Sequence, residues 1–275
     1  MKINGIRSAI ALVTALGLAT TAMAQDTLQN LRERGEIRIA NTQSSPPWSF
    51  LGNDNQPAGY DVAVAKEVAK RIGVTKVVFI ADSFKNFVEG LKADKYDLVM
   101  NDLTPTPERE KQVDFASAYG VEEFFIFVRN DNAAINSIDD MPGRSIGVTS
   151  GTSNEFWARK HMPRSEVRTY ENGGLLFNDL GIGRVDAVLS SLFGGEKYRK
   201  VQNLPIKAVG KPLTYQLSAP AMAKGNDQLR EAVSKAIDSM IADGTVDKLA
   251  KEWIGPDYAM TAGIAAAKAE LAEGQ

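Results

Sequence analysis

From Gly35 onward short apolar runs alternate with amphipathic stretches, a rhythm that predicts strands and helices in turn and so an α/β fold. Ile37 and Ile39 open a first strand, which runs into the polar loop Asn41 to Trp48, stiffened by Pro46 and Pro47. Val62, Ala65, Val68, Ala69 and Ile72 recur at spacings of three and four, predicting a helix capped by Asp61 and ended by Gly73. Val77 to Ile80 predicts the next strand, with Phe84 beyond its end and Phe87 and Leu91 on a short helix; Leu98-Val99-Met100 predicts a third. In an open α/β sheet ligands bind beyond the carboxyl ends of the strands, where all three following loops fall.

The continuous apolar run Phe124 to Val128 predicts a buried strand, and the pattern places the crossing into a second unit at the charged turn after it, Arg129 to Asn132. Ser145 to Val148 restarts the alternation and leads into Thr149-Ser150-Gly151-Thr152-Ser153, where Thr152 and Glu155 have capping-box spacing. A helix around Leu175, Leu176 and Leu180 precedes the strand Asp186 to Leu189, which ends at Ser190-Ser191. Tyr215 to Met222 reads as a strand returning to the first unit. Asp227 caps a long helix carrying Leu229, Val233, Ile237, Met240 and Ile241, and a shorter one carries Val246, Leu249 and Trp253. The alanine-rich residues 259–275 predict a frayed helical tail.

Residues 1–24 are a different kind of sequence. Lys2 and Arg7 precede an apolar run from Ala9 to Ala19, and Ala22-Met23-Ala24 has the A-x-A pattern of a cleavage site. This predicts a secretory signal peptide, too short to span a membrane, and hence an exported, soluble, monomeric product. The chain has no cysteine, which removes disulfides, thiol catalysis, thiolate metal sites and a lipid anchor at the cleavage point.

With 275 residues there is room for two cores. A net charge of −2 with scattered lysines and arginines argues against nucleic acid. One histidine, His161, cannot by itself build a serine triad or a zinc site, and it reads as a solvated surface residue. The acid pairs Glu122-Glu123 and Asp139-Asp140 are poor metal ligands, because neighbours on a strand face opposite ways. There is no glycine-rich phosphate motif. No metal, cofactor or catalytic residue is expected.

The loop Asn101 to Arg109 carries the chemistry. Thr106 is an N-cap type, Pro107 suits the first helical position, and Glu108 suits the positive end of the helix dipole. Arg109 therefore falls in an ordered first turn, where a guanidinium beside free amides is a receptor for a carboxylate. The plain alternative is a surface arginine paired with Glu108 or Asp114.

Gly59-Tyr60-Asp61-Val62, Thr104 to Arg109, Val113-Asp114-Phe115-Ala116, Gly147 to Thr152, Gly183 to Ala187 and Gly244 to Gly255 together resemble the family 3 extracellular solute-binding proteins. These are the periplasmic polar amino-acid receptors of ABC importers. The resemblance spans about residues 33–257. It implies the type II two-lobed periplasmic-binding-protein fold, each lobe a sheet flanked by helices, with two hinge crossings near Tyr119 to Phe124 and Tyr215 to Ser218. The corresponding division is 25–121 for the first part of lobe 1, 122–214 for lobe 2 and 215–258 for the return. It also implies a small-molecule ligand clamped between the lobes and a membrane permease as partner.

Carried over residue by residue, Arg109 grips the ligand's α-carboxylate with help from Thr104, Thr152 and Ser153, Phe84 walls the ligand side chain, and Asn101 and Asp102 meet the α-ammonium. The sequence departs from the family pattern at Ser191, where a lobe-2 acid usually holds the ammonium, and at Ser45, where an aromatic often covers the ligand. Asp102 is a carboxylate where glycine or serine is commoner. The ammonium partner has then moved across the cleft to Asp102; alternatively Asp102 pairs internally with Arg109. Ser45, Thr149, Ser150, Ser153 and Ser191 predict a polar pocket of small residues. The competing reading is a periplasmic cyclohexadienyl (prephenate or arogenate) dehydratase on the same fold, with Asp102 as a cleft acid.

Overall fold

The computed structural model describes residues 27–256 and 258–273; the expected signal peptide lies outside them. Helix α1 (Thr27–Arg34) leads into β1 (Glu36–Asn41), and β2 (Ser44–Ser45), β3 (Ser49–Leu51) and β4 (Pro57–Ala58) form a small antiparallel sheet over the first loop. Then follow α2 (Tyr60–Arg71), β5 (Lys76–Ala81), α3 (Phe87–Lys92), β6 (Leu98–Val99), α4 (Pro107–Glu110) and β7 (Val113–Phe115). The chain next enters a second sheet through β8 (Gly120–Arg129), and passes through β9 (Ser145–Thr149), α5 (Ser153–His161), β10 (Glu166–Tyr170), α6 (Gly173–Gly181), β11 (Ala187–Ser191), α7 (Leu192–Val201) and β12 (Ile206–Ser218). It returns through β13 (Ala221–Ala223) to end in α8 (Asp227–Ala242), α9 (Thr245–Trp253) and α10 (Met260–Glu273).

Strand order is β5-β1-β6-β13-β7 in the first five-stranded sheet and β10-β9-β11-β8-β12 in the second. In each, two strand pairs are parallel and the two made by the strands next to the crossings are antiparallel. Both are covered on two faces. Ile37 and Ile39 of β1 pack with Val64, Val68, Val233 and Ile237 from α2 and α8, whereas Ala40 faces Phe87 and Leu91 of α3. In the second sheet Phe124, Ile126 and Val128 pack on Ala158 and Met162, while Phe127 turns to Phe177 and Leu180 of α6. Two-sided burial is why this strand reads as an unbroken apolar run.

The pattern-based crossing at Arg129 to Asn132 is corrected by this topology. The apolar run is a central strand of the second sheet, flanked by β11 and β12, and the chain crosses before it, between Phe115 and Gly120. The return runs from Ser218 to Ala221. At the crossing the two long strands pair as Gly120↔Ser218 and Glu122↔Gln216.

Two local expectations also change. Gly59, not Asp61, caps α2, because the Tyr60 and Asp61 amides donate to the Pro47 and Trp48 carbonyls at 3.0 and 2.9 Å and need no side-chain cap. The tail is not frayed over its length: Met260, Ile264 and Ala267 of α10 are buried in the first lobe's core. Tyr258 Oη, just before α10, donates to the Val121 carbonyl of the crossing strand at 3.0 Å. Among the described residues no helix is long and apolar enough to cross a membrane.

Candidate functional site

The carboxyl ends of β1, β5 and β6 in one lobe face those of β9 and β11 in the other, and the crossing strands close the bottom of the cleft. Between the lobes lies a cavity of about 100 Å³, well below the roughly 300 to 1,000 Å³ of sites that hold drug-sized ligands. A larger concavity of about 700 Å³ lies between α1, α2 and α8, but it is an open surface groove carrying the Glu67 and Arg71 ion pair rather than a convergent set of donors.

Of the expected residues, Ser45, Phe84, Asn101, Asp102, Thr149, Thr152, Ser153 and Ser191 line the cavity between the lobes; Thr104 and Arg109 do not line it but contact its wall at Gln216 and Phe84. Thr106 caps α4 by accepting from the Arg109 amide at 3.3 Å, with Pro107 in the first turn. The turn is a single one, yet it fixes Arg109. That side chain is 6% exposed, donates through Nη1 to the Thr104 carbonyl at 2.8 Å and through Nη2 to the Gly151 carbonyl of the other lobe at 2.9 Å. Its Cζ lies 5.4 Å from the centre of the Phe84 ring. Among the described residues no carboxylate lies within ion-pair distance of it. Burial pulls the guanidinium down to about 10, with Asp102 partly opposing that loss.

Thr152 caps α5, accepting from the Glu155 amide at 3.3 Å, while the Glu155 carboxylate takes the Gly151 amide at 2.8 Å instead of closing a reciprocal box with Thr152. Ser153 and Thr104 both donate to Gln216 Oε1, the latter at 3.1 Å. Ser191 caps α7, and Ser45 shares a hydrogen bond with Thr42 at 2.8 Å. The Asn101 side-chain carbonyl accepts from the Thr42 amide at 2.7 Å and from Ser49 Oγ at 2.6 Å, so it is committed to holding the first loop.

Asp102 occupies left-handed backbone at φ 48°, a conformation that glycine adopts freely and aspartate tolerates better than most. Its Oδ1 accepts from Ser218 Oγ, and it lines the same cavity as Glu122. Glu122 in turn accepts from Trp48 Nε1. Desolvation and mutual repulsion push Glu122 well up from the ordinary carboxylate range, and desolvation pushes Asp102 up. Among the described residues Asp102 has no ion pair with Arg109, whose terminal nitrogens donate to main-chain carbonyls, and it shares the cavity wall with Glu122.

Sequence reasoning missed Glu122, Trp48, Gln216, Asn154 and Tyr198, all of which line the cavity. A signal for Glu122 was present: on a strand only one of two adjacent acids can face the cleft. Its partner across the two strands, Gln216, faces the same way. Tyr198 Oη bonds the Ser44 carbonyl and Lys85 Nζ the Glu171 carboxylate at 2.7 Å, so further contacts bridge the cleft mouth.

The model for bacterial extracellular solute-binding proteins, family 3, matches residues 37–256. The L-cystine-binding protein TcyJ of Escherichia coli K12 is 32% identical over 251 residues, 90% of this chain and 93% of that protein. An ancestral arginine-binding protein solved with arginine superposes with a TM-score of 0.77 at 34% identity, over 81% of this chain and 99% of that one. An ancestral amino-acid-binding protein described as a precursor of cyclohexadienyl dehydratase gives the same score at 33% identity, over 83% and 99%. With this match carried by two facing lobes and the cleft between them, the chain belongs to the family 3 bacterial extracellular solute-binding proteins.

Proposed function

We propose that this protein is the periplasmic substrate-binding component of an ABC importer, exported by cleavage after residue 24, which captures an α-amino acid between its lobes and delivers it to a membrane permease. The observation that carries this reading is the buried Arg109 guanidinium, set on a capped turn, backed by Phe84 and lacking a carboxylate partner among the described residues. A ligand carboxylate supplies that partner in a geometry a guanidinium can grip with two parallel hydrogen bonds. Asp102 takes the α-ammonium, Phe84 walls the side chain, and Thr104, Thr152 and Ser153 add donors around the carboxylate. Ligand contacts from both lobes favour the closed arrangement, with bending at residues 116–121 and 215–220. No bond is broken and no cofactor is needed. The relatives named for cystine and arginine support an amino acid as the ligand class.

A thermal-shift screen of purified protein, stripped of bound ligand by unfolding and refolding, tests this with the proteinogenic L-amino acids, L-cystine, betaines, polyamines and small dicarboxylates. A ligand at 100 times its Kd stabilises by about 2.7 kcal/mol, a shift of several degrees. Only compounds lacking the ammonium or the carboxylate responding contradicts the reading. The second reading is a dehydratase, because a proton held between two cleft carboxyls is what a general acid requires. Turnover of prephenate or arogenate by the same preparation establishes that reading instead.

A further inference from the structure

Asp102 and Glu122 reach the cavity from separate elements, the loop after β6 and the crossing strand β8. Glu122 is buried and Asp102 half-buried. Each carboxyl has a fixed donor: Trp48 holds Glu122, and Ser218 holds Asp102. What lies between them is the small cavity that both line. Two ionised carboxylates so placed repel, and one shared proton converts the repulsion into a hydrogen bond.

The charged and titratable groups facing the pair are Arg109 from α4, Asp61 from α2, Tyr119 ahead of β8 and Tyr258 ahead of α10. Asp61 is itself held by Tyr119 Oη at 2.8 Å, and burial keeps it, like the two tyrosines, toward the protonated state. Arg109 is the cation of this group, and its two terminal nitrogens serve the Thr104 and Gly151 carbonyls. Among the described residues the two carboxyls lining the cavity have no ion pair with a cation.

We infer that the cationic group of a bound ligand takes the place of the proton shared by Asp102 and Glu122, so that ligand capture releases a proton. The inference rests on the amino-acid-binding reading above and extends it to Glu122 as a ligand-touching group. The balance is simple. The pair starts with one proton and charge −1; a ligand R–NH3+ enters; one carboxyl O–H bond breaks, its proton passes to solvent, and two carboxylates hold the ammonium. No covalent bond to the ligand forms. Affinity therefore rises with pH through the titration of the pair, approaching tenfold per unit for one proton released.

Calorimetric titration of the wild-type protein at pH 7, in phosphate and in Tris, tests this with the panel amino acid that binds tightest. The two buffers differ in ionisation heat, so the difference in observed heat counts the protons released. We expect a release near one per ligand in the wild type. Glu122→Gln, which has no proton to give up, is expected to bind more weakly with release near zero and a flat pH dependence. Identical wild-type heats in the two buffers, with binding intact, overturn the proton exchange and leave the amino-acid reading standing. Binding of no amino acid in either buffer overturns that reading and this inference together. The wild-type buffer comparison decides the matter even if the variant does not fold.

Discussion

Arg109 reaches across the cleft to the main-chain carbonyl of Gly151, with Nη2 and O 2.9 Å apart. A buried guanidinium bonded to neutral carbonyls has lost hydration without gaining a counter-charge, which makes it a receptor for an anion. Arg109→Ala is expected to weaken amino-acid binding by about 2 to 5 kcal/mol, and Arg109→Lys to recover only part of this, because an ammonium lacks the planar fork. Isothermal titration reads both; affinities within twofold of wild type would show that the carboxylate binds elsewhere.

Gly151 also lies close against the main chain of the other lobe. A Cβ there would lie 2.7 Å from Lys85 Cα, and its φ of 76° is left-handed. The obstacle is backbone, which cannot swing aside as a side-chain tip can. Gly151→Ala is expected to hold the lobes apart and to cost more than tenfold in affinity. Scattering would then find little compaction on adding ligand, and normal closure contradicts the argument.

Asp102→Gly separates strain from binding at a position with φ 48°. Glycine relieves the left-handed backbone and removes a repelling carboxyl. Urea unfolding should find the ligand-free variant at least as stable as wild type, while titration finds amino-acid affinity lowered by more than about 2 kcal/mol. Retained affinity would remove Asp102 from the ammonium site.

Stability should follow the carboxyl pair through pH. Asp102 and Glu122 titrate above their unfolded range, so between the two ranges the native state binds more protons than the unfolded chain. Their contribution is fully present below about pH 4 and is lost as pH rises through the native titration. Asp186, lowered by hydrogen bonds from Ser145 despite an opposing desolvation, has the opposite sign and loses its contribution on acidification. Urea midpoints should fall from pH 5 toward pH 8, and Glu122→Gln should flatten that slope. An unchanged slope in the variant contradicts the assignment.

The terminal helix is part of the core. Ile264 is 3% exposed among first-lobe residues, so Ile264→Ala should cost about 2 to 5 kcal/mol in urea unfolding. A change below about 0.5 kcal/mol would mean that the helix does not dock.

The alternation of apolar runs was enough to read an α/β chain, because both sheets bury their strands between helices whose spacing is visible residue by residue. The cap at Thr106 and the turn holding Arg109 were legible for the same local reason. What escaped was long-range. Glu122 gains its role beside Asp102, Trp48 and Gln216, which lie at other places in the chain; the acid pair Glu122-Glu123 shows locally that one acid can face the cleft but not which groups it meets there. The docking of α10 was hidden likewise, because an alanine-rich helix shows almost no amphipathic stripe.

Everything proposed for the cleft turns on Arg109 holding the ligand's carboxylate. The most direct measurement is calorimetric titration of the bound amino acid and its α-carboxamide into wild type and Arg109→Ala. Wild type is expected to bind the acid at least thirtyfold more tightly than the amide, about 2 kcal/mol, and the variant hardly to distinguish them. Equal discrimination by both proteins would contradict it.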